Sequence, residues 1–515
     1  MRTDKIIIVG GGSAGWMTAT TLIRLFPNKK ITLIESKNVP TVGVGESTLA
    51  AFNDWLNLVG IKDEDFMKES DATYKLSIKF TDFYKKNSGG FHYPFGRPDE
   101  SILAAGKSTW YFKKFKDPLV PYSDYARFLY PSLALVEHNT FGENVNGELG
   151  NFDLKKQSAY HFDAIKFGQV LKEKICIPEG VKYIQDDIKD ALRDARGNIV
   201  SLNNKYAADL YIDCTGFQSI LLEKILKVKF NSYDELLPND TALVFQVPYT
   251  DKEKRLVAYT HCTALGNGWA WNIPSWKRIG TGYVYSSKYT NEHNAYHEMK
   301  QHLWSTLGYD IQDQNLEYRK INMKVGLHEE IFHKNVIAIG LSAGFIEPLE
   351  SNGLFTVHKF LIYLARILHS DELNQFDKDG FNYKCKAEFD IFAEFVALHY
   401  YLSQRDDTKY WRDLTNKSIK NLKLLPNADI DNQLKLKIYN DYNSEHGIHC
   451  IGTGLRQLPI DPTQIKDKNN ISDLNDFTEK HLSASIKGRD LQRQGWLQTA
   501  KTKPKLLDVL KKIHE

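Results

Sequence analysis

The hydrophobic and polar positions along the chain lay out its elements before any chemistry is considered. Ile6-Ile7-Ile8-Val9 is an unbroken apolar run closed by glycines, the pattern of a strand buried on both faces. A helical stretch follows to about Phe26, and 31–34 gives a second strand that ends at Glu35. Tyr74-Lys75-Leu76-Ser77-Ile78-Lys79-Phe80 alternates at period two. That predicts one strand with Tyr74, Leu76, Ile78 and Phe80 on one face and both lysines on the other. At about 3.3 Å per residue the lysines stand roughly 13 Å apart, so only one can serve a given site.

Asn267-Gly268-Trp269-Ala270-Trp271-Asn272-Ile273-Pro274 alternates in the same way, with Trp269, Trp271 and Ile273 forming an aromatic wall and Pro274 ending the strand. Another strand is predicted at Asn335-Val336-Ile337-Ala338-Ile339, followed by a glycine-bounded loop and a helix over 354–368 whose leucines recur at helical spacing. From about 371 the pattern turns helical, most clearly over 387–402.

The glycines between these elements add chemistry. Gly10-Gly11-Gly12-Ser13-Ala14-Gly15 sits between strand and helix, with an acid, Glu35, twenty residues past the last glycine. This is the dinucleotide-binding arrangement: tight turn, close backbone approach to a pyrophosphate, and a carboxylate for ribose hydroxyls. Gly43-Val44-Gly45-Glu46-Ser47-Thr48 is a flexible loop ahead of a helix, and the strand-end loop Asp213-Cys214-Thr215-Gly216 lets a second piece of backbone reach the same ligand. So does the loop beginning at Gly340. The candidate cofactor contacts are therefore Gly10, Gly12, Ser13, Ala14, Gly15 and Glu35, with Gly45, Glu46, Asp213 and Gly340.

The predicted fold is α/β (α+β mixed): a Rossmann-type FAD-binding module with an interleaved substrate sheet, plus a C-terminal helical module. Its expected boundaries are 1–370, with cofactor pieces at about 1–50, 155–230 and 320–370, and 371–515. The fingerprint alone leaves FAD and NAD(P) open. The absence of a second GxGxxG favours a flavin enzyme without a nicotinamide domain of its own.

Composition mainly excludes. Lys plus Arg at 67 against Asp plus Glu at 64 leaves +3, too balanced for nucleic acid or an anionic membrane to be the main partner. Five scattered cysteines give neither a disulfide framework nor metal-ligand spacing, so no metal is expected. No run reaches about 18 apolar residues, and a soluble, cytoplasmic protein is expected. Nothing in the sequence excludes a homo-oligomer.

Gly10–Gly15, Gly43–Thr48, Tyr160-His161-Phe162-Asp163-Ala164, Trp269-x-Trp271-x-Ile273-Pro274 and Glu347-Pro348-Leu349-Glu350-Ser351 together resemble a flavin-dependent halogenase of the tryptophan-halogenase family. The resemblance extends through His399-Tyr400-Tyr401 and Arg405-Asp406-Asp407-Thr408 to about Trp411. It implies reduced FAD supplied in trans by a flavin reductase, and a halide ion oxidised to hypohalous acid. It further implies Lys75 as the residue that receives the oxidant and Glu350 as its catalytic partner on a small aromatic substrate. Trp269 and Trp271 would separate substrate from flavin.

A halide site is expected at the N–H groups of Asn352 and Gly353, and a substrate rim at Tyr93, Phe95 and Trp110. Asn352 replaces the threonine usual at this place, which leads to the expectation that bromide or iodide outcompetes chloride. No counterpart of the residues that clasp free tryptophan is evident in 438–454, so an indole or phenol without the amino-acid end is expected to serve better. The alternatives are a single-component FAD-dependent aromatic monooxygenase and a non-catalytic flavin-binding protein. The first tends to carry Gly-Asp where this chain has Gly340-Leu341, and it lacks the tryptophan wall.

Overall fold

A computed structural model describes residues 1–38, 45–99, 107–309, 317–370, 372–415, 446–458 and 477–515. Gly43, Val44, the start of the 438–454 segment and the polar stretch around Pro426 lie outside the described residues.

The apolar runs at the N-terminus form the centre of a six-stranded sheet. Its order is Phe332–His333, Val336–Ala338, Leu210–Asp213, Lys5–Val9, Lys30–Glu35 and Lys182–Gln185. Its pairings are parallel apart from the edge hairpin of the first two strands. Ile6, Ile8, Leu33 and Ile337 are fully buried, as strands covered on both faces require. The helix Ser13–Leu25 packs over this sheet and against the helix Phe355–Ile367.

A second sheet of seven strands runs Tyr318–Asn322, Thr241–Val247, Ile279–Tyr285, Gly268–Pro274, Tyr259–Leu265, Ser77–Thr81 and Gly90–Pro94. The tryptophan strand is thus central, with neighbours on both edges, and all seven of its residues are buried. A small sheet of Glu46–Ser47, Ala159–Phe162 and Thr73–Lys75 bridges the two large ones.

The period-two segment 74–80 departs from its expected form. It is two strands in two sheets: Thr73–Lys75 pairs with Ala159–Phe162, whereas Ser77–Thr81 pairs with Tyr259–Leu265 and Gly90–Pro94. The chain changes sheets at Leu76, whose N–H goes to the Ala258 carbonyl. Lys75 and Lys79 therefore do not share a face of one strand. The late helix also differs, starting at Gln375 rather than 387. Asn374 caps it, and its side chain and that of Asp377 close a reciprocal capping box that the apolar periodicity does not register.

The main hydrophobic cluster runs through both sides of residue 370, from Ile6 and Leu361 to Phe389, Trp411 and Leu510. The helices after 370 share the core of the sheets. Among the described residues no helix is long and apolar enough to cross a membrane.

Candidate active site

A cavity of about 490 Å³ opens along the C-terminal ends of the parallel strands, where α/β folds bind ligands. Gly10, Gly12, Ser13, Ala14, Glu35, Gly45, Glu46 and Gly340 all line it. The glycines have separable jobs. Gly10 has φ +116°, and a Cβ there would stand 2.2 Å from the Cys214 carbonyl oxygen. A Cβ on Gly15 would stand 1.9 Å from the Gly10 oxygen, so this glycine lets helix and strand close up and does not itself line the cavity. Gly12 meets nothing within 4 Å and faces open space. A phosphate-sized approach to the backbone is thereby allowed where the fingerprint needs it, and the residues present fit a dinucleotide.

Glu35, at the end of its strand, accepts hydrogen bonds from the Tyr183 hydroxyl at 2.7 Å and the Lys172 ammonium at 3.4 Å. Asp213 is placed otherwise than expected. It is fully buried behind the cavity, accepting from the Thr215 hydroxyl and from the backbone N–H groups of Thr215, Leu221 and Leu222. Its carboxylate is spent on shaping the turn, and its neighbours Cys214, Thr215 and Gly216 line the cavity instead.

Trp269 and Trp271 form part of the cavity wall, their ring centroids 6.0 Å apart. Gly282 on the adjacent strand makes room for Trp271, since a Cβ there would fall 2.2 Å from the indole. The Trp269 N–H donates to Glu347 at 3.1 Å, which fastens the wall to the loop carrying Glu350. The same Glu347 oxygen accepts from Asn239, which also bonds the Tyr400 and Tyr410 hydroxyls.

Glu350 is the last residue of the one-turn helix Pro348–Glu350, not part of the longer helix that begins at Phe355. Ser351 then takes a left-handed φ of +60°, turning the chain back. The Ser351 hydroxyl accepts from the Lys75 Nζ at 2.7 Å, and the Thr48 carbonyl accepts from the same nitrogen at 2.9 Å. Lys75 Nζ also stands 4.7 Å from the centroid of Phe95. Lys75 and Glu350 both show 0% exposure. Burial lowers the Lys75 ammonium to about 7, against the pull of Cys262 and Glu350. Burial likewise raises the Glu350 carboxyl, opposed by His399 and Lys75. Lys79, by contrast, is partly exposed beside Tyr259.

Tyr93 and Phe95 meet edge to face at 6.2 Å, and Tyr93 lies within the field of Glu350. Trp110 does not join them as a rim residue. Its N–H goes to Asp124 at 3.3 Å and its ring is buried against Tyr111 and Tyr125, in a cluster that Tyr93 packs upon. Asp124 draws it there, being the meeting point of Lys113 and Arg493. Helix His446–Gly454 closes the same corner. A Cβ on Gly447 would stand 2.8 Å from the Tyr93 hydroxyl, and one on Gly454 2.3 Å from Phe91.

At the expected halide position, the backbone N–H groups of Asn352 and Gly353 meet no protein acceptor among the described residues. The surroundings are less purely donating than the sequence suggests. Asn352 Nδ2 donates to the Ile346 carbonyl while its Oδ1 meets no donor among the described residues, and a Cβ on Gly353 would come within 2.8 Å of a Glu46 carboxylate oxygen. Burial raises Glu46 to about 7.

Residues that sequence reasoning passed over complete the site. Cys262 lines the cavity with its thiol 3.7 Å from the Leu349 carbonyl, and His399 stands against Glu350. The available signal for His399 was a single histidine in the otherwise apolar and aromatic stretch Ala397–Tyr401.

A dinucleotide cavity that ends in a tryptophan wall, with a buried amine and carboxylate behind the adjoining loop, defines a flavin-dependent oxidoreductase of the halogenating kind. Residues 5–430 match the family model of tryptophan halogenase, and the chain belongs to that family. It is 33% identical over 433 residues to the tryptophan 7-halogenase RebH of Lentzea aerocolonigenes, covering 80% of this chain and 78% of that one. It is 32% identical over 440 residues to the tryptophan 6-halogenase SttH of Streptomyces toxytricini, covering 81% and 82%. The solved apo structure of VirX1 superposes with a TM-score of 0.90 at 35% identity, covering 99% of each chain. The chain is a flavin-dependent halogenase that uses FAD and halide.

Proposed function

We propose that Lys75 and Glu350 carry the halogenation of an electron-rich aromatic, an indole or a phenol, at the buried cluster beside the tryptophan wall. Gly10, Gly12, Ser13, Ala14, Glu35, Gly45, Glu46 and Gly340 would hold FAD, with Gly15 and Asp213 shaping the turns beneath it. Bound reduced flavin, provided by a separate reductase, supplies with oxygen the oxidising equivalent that turns halide into hypohalous acid. Trp269 and Trp271 keep the aromatic substrate on the far side.

Hypohalous acid diffuses, so selectivity has to come from a positioned donor. Lys75 has the means: at about pH 7 burial keeps much of it as the free amine, which hydrogen-bonds the oxidant or takes up its halogen. Ser351 and Thr48 fix the nitrogen and Phe95 presents a flat face beside it. Glu350 accepts the proton that the ring loses on substitution. Tyr93 and Phe95 stack the substrate. The observation that carries this reading is a fully buried lysine held on two oxygens within the field of a fully buried glutamate.

The test is mass spectrometry of an indole and phenol panel, tryptophan included, incubated with protein, FAD, a generic flavin reductase, NADH and mixed halides. Halogenated indole or phenol is expected to exceed halogenated tryptophan. Hydroxylated products without halide would replace this reading with that of an aromatic monooxygenase. Regioselective halogenation of tryptophan in preference to simple indole would overturn the substrate class.

A further inference from the structure

His399 lies near the end of the helix Gln375–Tyr401, 49 positions beyond Glu350, and the fold brings the two side chains together. Nε2 stands 2.8 Å from Glu350 Oε1, and both side chains have 0% exposure. Phe80, Phe83 and Phe395 surround the imidazole, with ring centroids at 4.7, 6.1 and 5.8 Å. The contact is short but off the axis of an ideal hydrogen bond, as catalytic pairs often are before substrate arrives. Glu350 has no aligned hydrogen bond from any other described residue, so this contact is what holds a buried carboxylate in place.

The other ring nitrogen limits where protons can be. Nδ1 is 3.1 Å from the Val396 carbonyl, which can only accept, so Nδ1 carries a hydrogen. Nε2 against a carboxylate oxygen then needs one proton between them, on the imidazole or on the carboxyl. With the proton on His399, Glu350 is a base whose Oε2 is free.

We propose that His399 is the positioning residue of the halogenation step: it clamps Glu350 Oε1 and carries the shared proton, leaving Oε2 as the acceptor of the ring proton. This rests on the reading of Glu350 given above. The atoms balance as ArH plus HOX giving ArX plus H2O. The C–X bond forms as O–X breaks, the carbon is oxidised as the halogen is reduced, the ring C–H electron pair returns to the arene, and its proton passes through Oε2 to the released hydroxide. The ionisable groups facing the pair are Lys75, Cys262 and Tyr93 toward Glu350, and Glu347 toward His399.

The test compares His399→Phe, His399→Gln, Glu350→Gln and the double variant Glu350→Gln/His399→Phe, with indole, bromide, FAD and a reductase. Phenylalanine fits the aromatic surround, and glutamine offers an N–H where Nε2 was. Thermal melts check folding. His399→Phe is expected to lower bromoindole formation about 10²-fold, within the range of general acid–base effects, with hypobromous acid trapped in the absence of indole unchanged. The rising limb of its pH–rate profile should move to higher pH, because the buried carboxyl loses the group that keeps it ionised. His399→Gln should recover to within about tenfold of wild type, and the double variant should be no slower than Glu350→Gln, since groups acting as one unit are not additive.

A His399→Phe enzyme with wild-type rate and profile overturns the proposal, as does a double variant slowed by the product of the two single effects. If Glu350→Gln itself runs at wild-type rate, the reading of Glu350 falls. If Glu350→Gln is slow and His399→Phe is not, only the role of His399 falls.

Discussion

The glycine-lined cavity and the buried Lys75–Glu350–His399 cluster, which meet at Ser351, are built from different materials. The flavin-side cavity is in large part a backbone device: glycines at 10, 12 and 340 line it and permit close approach, and Glu35 and Glu46 add carboxylates to its wall. The Lys75 cluster is a side-chain device, in which Lys75, Glu350 and His399 are each fully buried and arrive from three separate parts of the chain. A backbone cradle offers donors that cannot titrate, which suits holding a large, charged ligand. A buried cluster of ionisable groups does the reverse: burial pushes Lys75 and Glu350 toward their neutral forms, which suits chemistry on a reactive small molecule. The halves should therefore fail differently, one by losing ligand and the other by losing product while the ligand stays.

The largest expected effect tests that division directly. Lys75→Ala should abolish halogenated product while flavin binding, followed by its absorbance, and flavin reoxidation persist. Lys79→Ala should stay within about threefold of wild type, since a partly exposed lysine outside the cluster has little to lose. Equal loss in the two variants would show that the lysine in the cluster is not the halogen donor. Glu350→Gln should follow, with halogenation slowed about 10²–10⁴-fold and hypohalous acid still made, as removal of a general base implies. An unchanged rate would leave the cluster without a base.

How far each half could be read in the sequence follows from the same difference. The backbone cradle is local: strand, Gly10 to Gly15, helix and Glu35 lie within one stretch of chain, and their spacing carries the geometry. The cluster is not. Period-two alternation made Lys75 and Lys79 equivalent, and only the change of sheet at Leu76 separates them. Trp110 was expected on the rim because aromatic residues suit flat substrates, but the buried ionic group at Asp124 places it a layer behind Tyr93. His399 looked like one polar residue in an aromatic helix end. Its partner is 49 positions away, and no periodicity links a helix end to the turn at Pro348–Glu350. The capping box at Asn374, by contrast, was readable and sets the helix start twelve residues ahead of where hydrophobic spacing put it.

The pH dependence of the two halves should also separate them. Lys75 has its folded value lowered to about 7, so the free amine increases as pH rises through 7 and the halogenation rate should climb there. The same sign applies to stability: from about pH 7 to the ordinary lysine range near 10.4 the unfolded chain binds the extra proton, so folding gains with rising pH across that window. Lys75→Met, which lacks the amine and should make no halogenated product, should flatten the stability slope, read as melting temperature against pH. Flavin affinity rests partly on backbone groups that do not titrate and partly on Glu46, which burial raises to about 7, so Glu46→Gln should remove whatever pH dependence flavin affinity shows across the same range. A flavin affinity that still tracked the halogenation rate in Glu46→Gln would merge the halves into one titrating unit.

The smallest expected effect lies on the border between them, at Asn352 and Gly353. The N–H groups of Asn352 and Gly353, which meet no acceptor among the described residues, offer an anion partial compensation for lost hydration, and that loss is smaller for a larger ion. The Glu46 carboxylate beside Gly353 opposes any anion while ionised, and burial raises it to about 7. Weak donors with a carboxylate at their edge favour the halide that is cheapest to dehydrate, so bromide or iodide should outcompete chloride from an equimolar mixture. Asn352→Thr should move the product ratio toward chloride by a few-fold, roughly 1 kcal/mol or less in differential binding. The halide KM should rise above pH 7 as Glu46 ionises, and Glu46→Gln should remove that rise. Chloride winning in the wild-type enzyme, or a halide KM flat through pH 7 to 9, would place the halide elsewhere and return Asn352 to a purely structural role through its bond to the Ile346 carbonyl.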